Sequence, residues 1–198
     1  MLRTNVKLNE ELGNKLYFSV SDLAQVLQIT RESAKVLASR YRKNRVFMRL
    51  KKDFYVLSSN WRKYTIEQYL QIANVLQVPS YISFMTALNY YEITTQVQRN
   101  FFESAAQKRT VSYNIDGTVF AYYKLKKDYY FDFTRLNNIF ISTKEKAFID
   151  AIYLFSFGKY RLDIDSLDMT RLENRAIKSI IKTYPEKTKR IVRRLCNI

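Results

Sequence analysis

Nine residues between positions 31 and 52 are basic, namely Arg31, Lys35, Arg40, Arg42, Lys43, Arg45, Arg49, Lys51 and Lys52, against one acid, Glu32. Cations at that density suit non-covalent phosphate chemistry. Each one set on a backbone phosphate releases a counterion and adds affinity for nucleic acid regardless of its sequence. The carboxylates offer a second possibility. Asp163, Asp165 and Asp168, or Glu145 with Asp150, are the sets from which a metal-dependent nuclease would be built. Asp163 and Asp165 point together only in an extended segment, and Asp165 and Asp168 serve equally well as cap residues. Glu145 and Asp150, five apart, do not share a helix face. The chain has no histidine and a single cysteine, Cys196. Ser-His-Asp and Cys-His catalysis, imidazole bases, His-based zinc sites and haem ligation through His are therefore excluded, as are internal disulfides. No catalytic residue, metal ligand or cofactor is expected, and the chain is read as a non-enzyme.

The whole molecule shares the bias of this segment. It has 198 residues, 34 Lys and Arg against 18 Asp and Glu, and a formal charge of +16. A polyanionic partner follows, nucleic acid before an anionic membrane surface. Hydrophobic residues at 47% and aromatic residues at 15% supply a core and argue against disorder. The start, Met1-Leu2-Arg3-Thr4-Asn5, lacks the apolar stretch of a signal peptide, and the longest near-apolar run, 147–157, is short of a membrane span. A soluble cytoplasmic protein is expected.

Residues 1–60 parse as three helices and a hairpin. A short first helix is expected over 9–16. Ser19, with Asp22 three residues on, has capping-box spacing and opens a helix carrying Leu23, Val26 and Leu27 that ends near Gln28. Thr30 caps the next, from Arg31 to Lys43, with Ala34, Leu37, Ala38 and Tyr41 on its inner face. Ile29, in the turn between them, is expected to plug the core. Asn44 suits a left-handed helix end. The runs 46–50 and 54–57, around Lys51-Lys52-Asp53, read as a β-hairpin.

This order is that of a winged helix-turn-helix. The second helix of the motif turns Glu32, Lys35, Val36, Ser39 and Lys43 outward, flanked by Arg31, Arg40 and Arg42, as a major-groove reader must. Arg49, Lys51 and Lys52 at the hairpin tip are expected over a phosphate backbone or minor groove. The expected DNA-binding set is Arg31, Ser33, Lys35, Ser39, Arg40, Arg42, Lys43, Arg49, Lys51 and Lys52. A basic helix face can also be plain solvated surface, and winged helices also bind proteins; the cluster together with the caps and the hairpin favours DNA.

The rest of the chain, 61–198, is expected to be a mixed domain. A linker helix covers 61–77, with Tyr64, Ile66, Tyr69, Leu70, Ala73 and Leu76 on its apolar face. Val78-Pro79-Ser80 breaks it, and Ser80 or Ser83 caps a helix through Tyr91. Runs at 96–104, 109–115, 118–123 and 129–133 predict a small antiparallel sheet of three or four strands, with Asp116-Gly117 as a hairpin turn. Ser142 with Glu145 predicts a second capping box, opening a helix over 143–157 that Gly158 ends. Helices over 172–184 and 185–195 complete a tail over 141–198. The fold class is thus α+β: an N-terminal winged helix-turn-helix, then a small antiparallel sheet and C-terminal helices.

Three stretches carry a family likeness: Arg49 to Leu57; Val78-Pro79-Ser80-Tyr81-Ile82-Ser83 through Ala87-Leu88-Asn89-Tyr90-Tyr91, with Lys108-Arg109 and Gly117-Thr118-Val119-Phe120 following; and Ser142-Thr143-Lys144-Glu145-Lys146-Ala147-Phe148-Ile149-Asp150-Ala151-Ile152-Tyr153-Leu154. In order and spacing the chain resembles AbiEi-type antitoxins, the transcriptional regulators of type IV toxin–antitoxin systems in phage defence by abortive infection. Asp53 stands where the family commonly has glycine, and Lys144 where it often has proline. The resemblance implies an N-terminal domain that binds inverted repeats in operator DNA and represses its own operon. It implies a second domain that counteracts a nucleotidyltransferase-like toxin without requiring a stable complex, and it transfers no catalytic residue. The alternative is a general binder of RNA or non-specific DNA, using the basic tail Lys187, Lys189, Arg190, Arg193 and Arg194; a nuclease built on the carboxylates above is the third reading.

Overall fold

The computed structural model describes residues 8–96 and 98–198 of an α+β chain. The chain falls into two units, Met1–Ile72 and Ala73–Ile198, the division lying inside a helix.

The first unit contains α1 (8–12), β1 (Phe18–Ser19), α2 (Val20–Leu27), α3 (Arg31–Lys43), β2 (Phe47–Lys51), β3 (Phe54–Leu57), α4 (Ser58–Trp61) and the start of α5 (Ile66–Leu76). Of the helix expected over 9–16, only the first turn is helical. Ser19 caps α2 by accepting from the Asp22 amide at 3.0 Å, while Asp22 Oδ2 accepts from the Ser19 amide at 2.8 Å. Thr30 Oγ1 caps α3 by accepting from the Ser33 amide at 3.2 Å. β1, β3 and β2 form an antiparallel sheet in that order. Phe18, Leu23, Ala34, Ala38, Tyr41, Phe47 and Tyr55 pack together beneath it.

Three local expectations fail here. Ile29 is 36% exposed and plugs nothing. Gln28 takes the left-handed conformation (φ 53°), which turns Ile29 outward, and Leu23 with the two alanines fills the space between α2 and α3. The left-handed residue after α3 is Arg45 (φ 56°), not Asn44 (φ −84°). Asp53 closes the β2–β3 hairpin at φ 63°, a conformation in which Asp is among the better-tolerated side chains and Gly better still. Nor is there one helix over 61–77. Thr65 and Gln68 hydrogen-bond each other's amides, restarting the chain at α5, and Ile66 is left 64% exposed.

The second unit departs further from a small antiparallel sheet. Its strands are β4 (Ser80–Ile82), β5 (Phe101–Ala106), β6 (Val111–Ile115), β7 (Thr118–Lys124), β8 (Phe133–Leu136) and β9 (Ile139–Ser142), in the spatial order β6-β7-β5-β4-β9-β8. The sheet is mixed, because β5 pairs with β7 and β4 with β9 in parallel. The expected β6–β7 hairpin is present, with Asp116 (φ 48°) and Gly117 (φ 83°) both left-handed at its turn. The run at 129–133 is no strand: residues Lys127–Tyr129 form a 3-10 turn, and β8 begins only after left-handed Asp132.

Helices α6 (Phe84–Tyr90), α7 (Lys144–Ser156), α8 (Asn174–Ile180) and α9 (Glu186–Cys196) complete the unit. The cap of α7 is Thr143, whose Oγ1 accepts from the Lys146 amide; Ser142 stays in β9 with its hydroxyl buried and unbonded among the described residues. Gly158, at φ 68°, follows the end of α7 as expected. Ser83 occupies the cap position of α6 but gives its hydroxyl to Asp150 Oδ2 at 2.8 Å. That bond belongs to a buried network. Lys146 and Asp150, both fully buried on α7, form an ion pair, and Asp150 also accepts from Tyr81 and Tyr184. Burial pulls the Lys146 ammonium below its usual range, and the charges of Asp150 and Asp132 oppose that shift. Among the described residues no helix is long and apolar enough to cross a membrane.

Candidate nucleic-acid interface

Helix α3 turns Ala34, Ala38 and Tyr41 inward, at 0%, 0% and 7% exposure, and these small or flat side chains let it lie close to its neighbours. The 3.6-residue period then places Glu32, Lys35, Val36, Ser39, Arg40 and Lys43 on the outside. All six are exposed, as are Arg31, Ser33 and Arg42. Ser33 has a local duty as well, its hydroxyl accepting from Thr30 Oγ1 at 2.9 Å within the cap.

Backbone hydrogen bonds attach the hairpin to this helix. The Val46 amide donates to Tyr41 O and the Ser58 amide to Val46 O, both at 2.9 Å. At the far end, the Val20 amide donates to Asp53 O at 3.1 Å. Arg49 and Lys52 are exposed, and Arg49 Nε donates to Lys51 O at 3.2 Å. Lys51 is half-buried, its ammonium 4.6 Å from the Phe54 ring centroid. Of the ten residues expected to bind DNA, nine are thus exposed on α3 and the hairpin, and Lys51 lies partly against its own strand partner.

Among the described residues, most cations of this surface stand without an acid beside them. Lys15 pairs with Asp22, Arg171 with Glu92 and Arg193 with Glu186. By contrast Lys35, Arg40, Arg42, Lys43, Arg45 and Lys52 have no ion pair among the described residues. Arg31 is the exception, 3.7 Å from Asp53. Unpaired, clustered cations repel one another and gain from any polyanion brought to them. Two exposed residues of the face lie outside the expected DNA-binding set: Val36, 70% exposed and expected on the outward face, and Arg45, one of the nine cations of the basic run.

Four of the five carboxylates of the nuclease reading have other occupations. Asp163 accepts from Gln96 at 2.7 Å, Asp168 from the Thr170 amide and hydroxyl, and Glu145 from the Glu173 amide at 2.9 Å. Asp150 is held inside the network of Lys146, Tyr81, Ser83 and Tyr184. Among the described residues no group of three or more His, Cys, Asp or Glu side chains could hold a metal ion. On the basic tail, Thr188 and Val192 are buried and Lys187, Arg190, Arg193 and Arg194 exposed, the pattern of a helix with one packed face. Neither a scan against protein-family models nor a search of curated proteins finds a match to this chain.

Proposed function

We propose that the first unit is a winged helix-turn-helix that binds duplex DNA, with α3 in the major groove and the β2–β3 hairpin as the wing on the flanking backbone. The observation that carries this is the cluster of exposed cations Lys35, Arg40, Arg42, Lys43, Arg49 and Lys52 on α3 and the hairpin, two elements that backbone hydrogen bonds join. The charge of the whole chain, +16, supplies attraction, and the outward face of α3 supplies a rod of the width a major groove admits. The resemblance to AbiEi-type antitoxins extends the reading: a cytoplasmic, non-enzymatic repressor of its own operon that binds inverted repeats and counteracts a nucleotidyltransferase-like toxin.

The test is a mobility-shift titration with the DNA upstream of the reading frame against shuffled duplex. Preference for the upstream DNA is expected. With ~6–10 phosphate contacts, affinity should fall roughly 10³–10⁵-fold between 50 and 200 mM salt. Equal affinity for both duplexes would reduce the protein to a non-specific binder, and a flat salt dependence would remove the cationic surface from the interface. A nucleotidyltransferase encoded beside this frame, whose toxicity this chain relieves on co-expression, tests the antitoxin half.

A further inference from the structure

Along the outermost line of α3 the residues are Glu32, Val36, Ser39 and Lys43, spaced by 4, 3 and 4 positions and thus directly above one another. Two of them are out of place on a surface that only has to attract phosphate. Val36 is a β-branched apolar side chain 70% exposed in the middle of a cationic helix, where a lysine or alanine would favour both helix and solubility. Glu32 is an exposed carboxylate with no ion pair among the described residues, although Arg31 and Lys35 are near it in sequence. A carboxylate facing phosphates is repelled, so inside a groove it is better placed over base edges than over the backbone.

Resting on the reading of α3 as the groove element, we propose that Glu32 and Val36 help set the base sequence this protein prefers, while Arg49 and Lys52 of the hairpin hold it on the backbone. In a major groove a carboxylate accepts from the N4 amino group of cytosine, and an apolar side chain packs on the 5-methyl group of thymine. Four helical residues rise about 6 Å, close to two base-pair steps of ~3.4 Å. The preferred half-site therefore holds a cytosine and a thymine about two steps apart. A competing role for Glu32 is purely structural: an acid in the first turn complements the helix dipole.

The experiment selects duplexes from a randomised pool with the full chain, then repeats the selection with Glu32→Gln and Val36→Ala. Both positions are exposed, and thermal melts confirm that the variants fold. The expected wild-type consensus holds the cytosine and thymine pair. Replacing that thymine by uracil, which removes only the methyl, should weaken wild-type binding about fourfold and leave Val36→Ala nearly unaffected. Glu32→Gln should shift the preferred base at its position from cytosine towards adenine, whose N6 and N7 an amide matches. If Glu32 serves the helix alone, its variant weakens all duplexes and keeps the consensus, which overturns the inference. Unchanged uracil sensitivity in Val36→Ala overturns it too, and in both cases duplex recognition stands. A wild-type chain that selects no consensus removes the recognition reading and this inference together.

Discussion

Arg31 Nη2 stands 3.7 Å from Asp53 Oδ2, so the first residue of α3 reaches the turn that closes the β2–β3 hairpin. Both side chains are partly in water, and the pair itself contributes under ~1 kcal/mol. Its importance is one of position. Asp53 is the acid between two cationic elements, its carbonyl accepts the first amide of α2, and its left-handed backbone makes the turn.

Replacing Asp53 by Asn keeps a residue that tolerates φ 63° and releases Arg31. Affinity for every duplex should rise several-fold, and the salt slope should steepen by about 1 if Arg31 then takes a phosphate. Anisotropy titrations at a series of salt concentrations measure both. An unchanged slope would place Arg31 off the backbone.

Cations of the hairpin and residues of the helix should fail differently. Lys52→Ala or Arg49→Ala should weaken binding to all duplexes alike and lower the salt slope by about 1 each. Lys35→Ala and Ser39→Ala should instead narrow the gap between preferred and shuffled DNA. Competition titrations with both duplexes separate the two patterns, and a loss of preference on changing Lys52 would contradict the wing assignment.

Asp22 makes the capping box of α2 sensitive to acid. Partial burial pushes its carboxyl up, but Lys15 and the hydroxyl and amide of Ser19 outweigh this and hold it at about 2. A carboxyl lowered by folding stabilises above its unfolded value of ~3.9 and loses that contribution as pH falls towards the folded value. Asp22→Ala should cost about 1 kcal/mol at pH 7, and its deficit relative to wild type should close between about pH 4 and about pH 2. Trp61, the single tryptophan and 1% exposed, reports unfolding of this unit by fluorescence.

The buried pair on α7 should behave asymmetrically. Lys146→Met leaves Asp150 charged and enclosed, with only hydroxyl donors, and should cost about 3–5 kcal/mol in urea unfolding followed by circular dichroism. Adding Asp150→Leu removes the stranded charge and should restore much of that loss. A double variant no more stable than the single one would show that packing, not charge, decides this site.

The features of the fold that could be read from residue order are those made by neighbours in the chain. Ser19 with Asp22, Thr30 with the Ser33 amide, and Asp116-Gly117 each act within three or four residues, and each is where the spacing put it. Thr143 took the cap expected of Ser142 because β9 runs one residue further, and Ser83 gave its hydroxyl to Asp150 because a fold contact 67 positions away offered a charged acceptor. The same distinction holds for the candidate interface. The cations and the outward face of α3 were legible from charge and period.

Residue types and local spacing by themselves determined a basic α+β chain, the start of α2 and α3, and the hairpin turn, because caps, turns and periodic faces depend on interactions a few residues long. Only the tertiary structure decided that, of the cations on α3, Arg31 alone has an ion pair among the described residues, that Ile29 faces water, that Lys146 and Asp150 are sealed inside, and that β5 with β7 and β4 with β9 run in parallel. Each of these depends on which distant segment covers a given surface. A period of 3.6 or 2 says which side chains share a face, but not what that face meets.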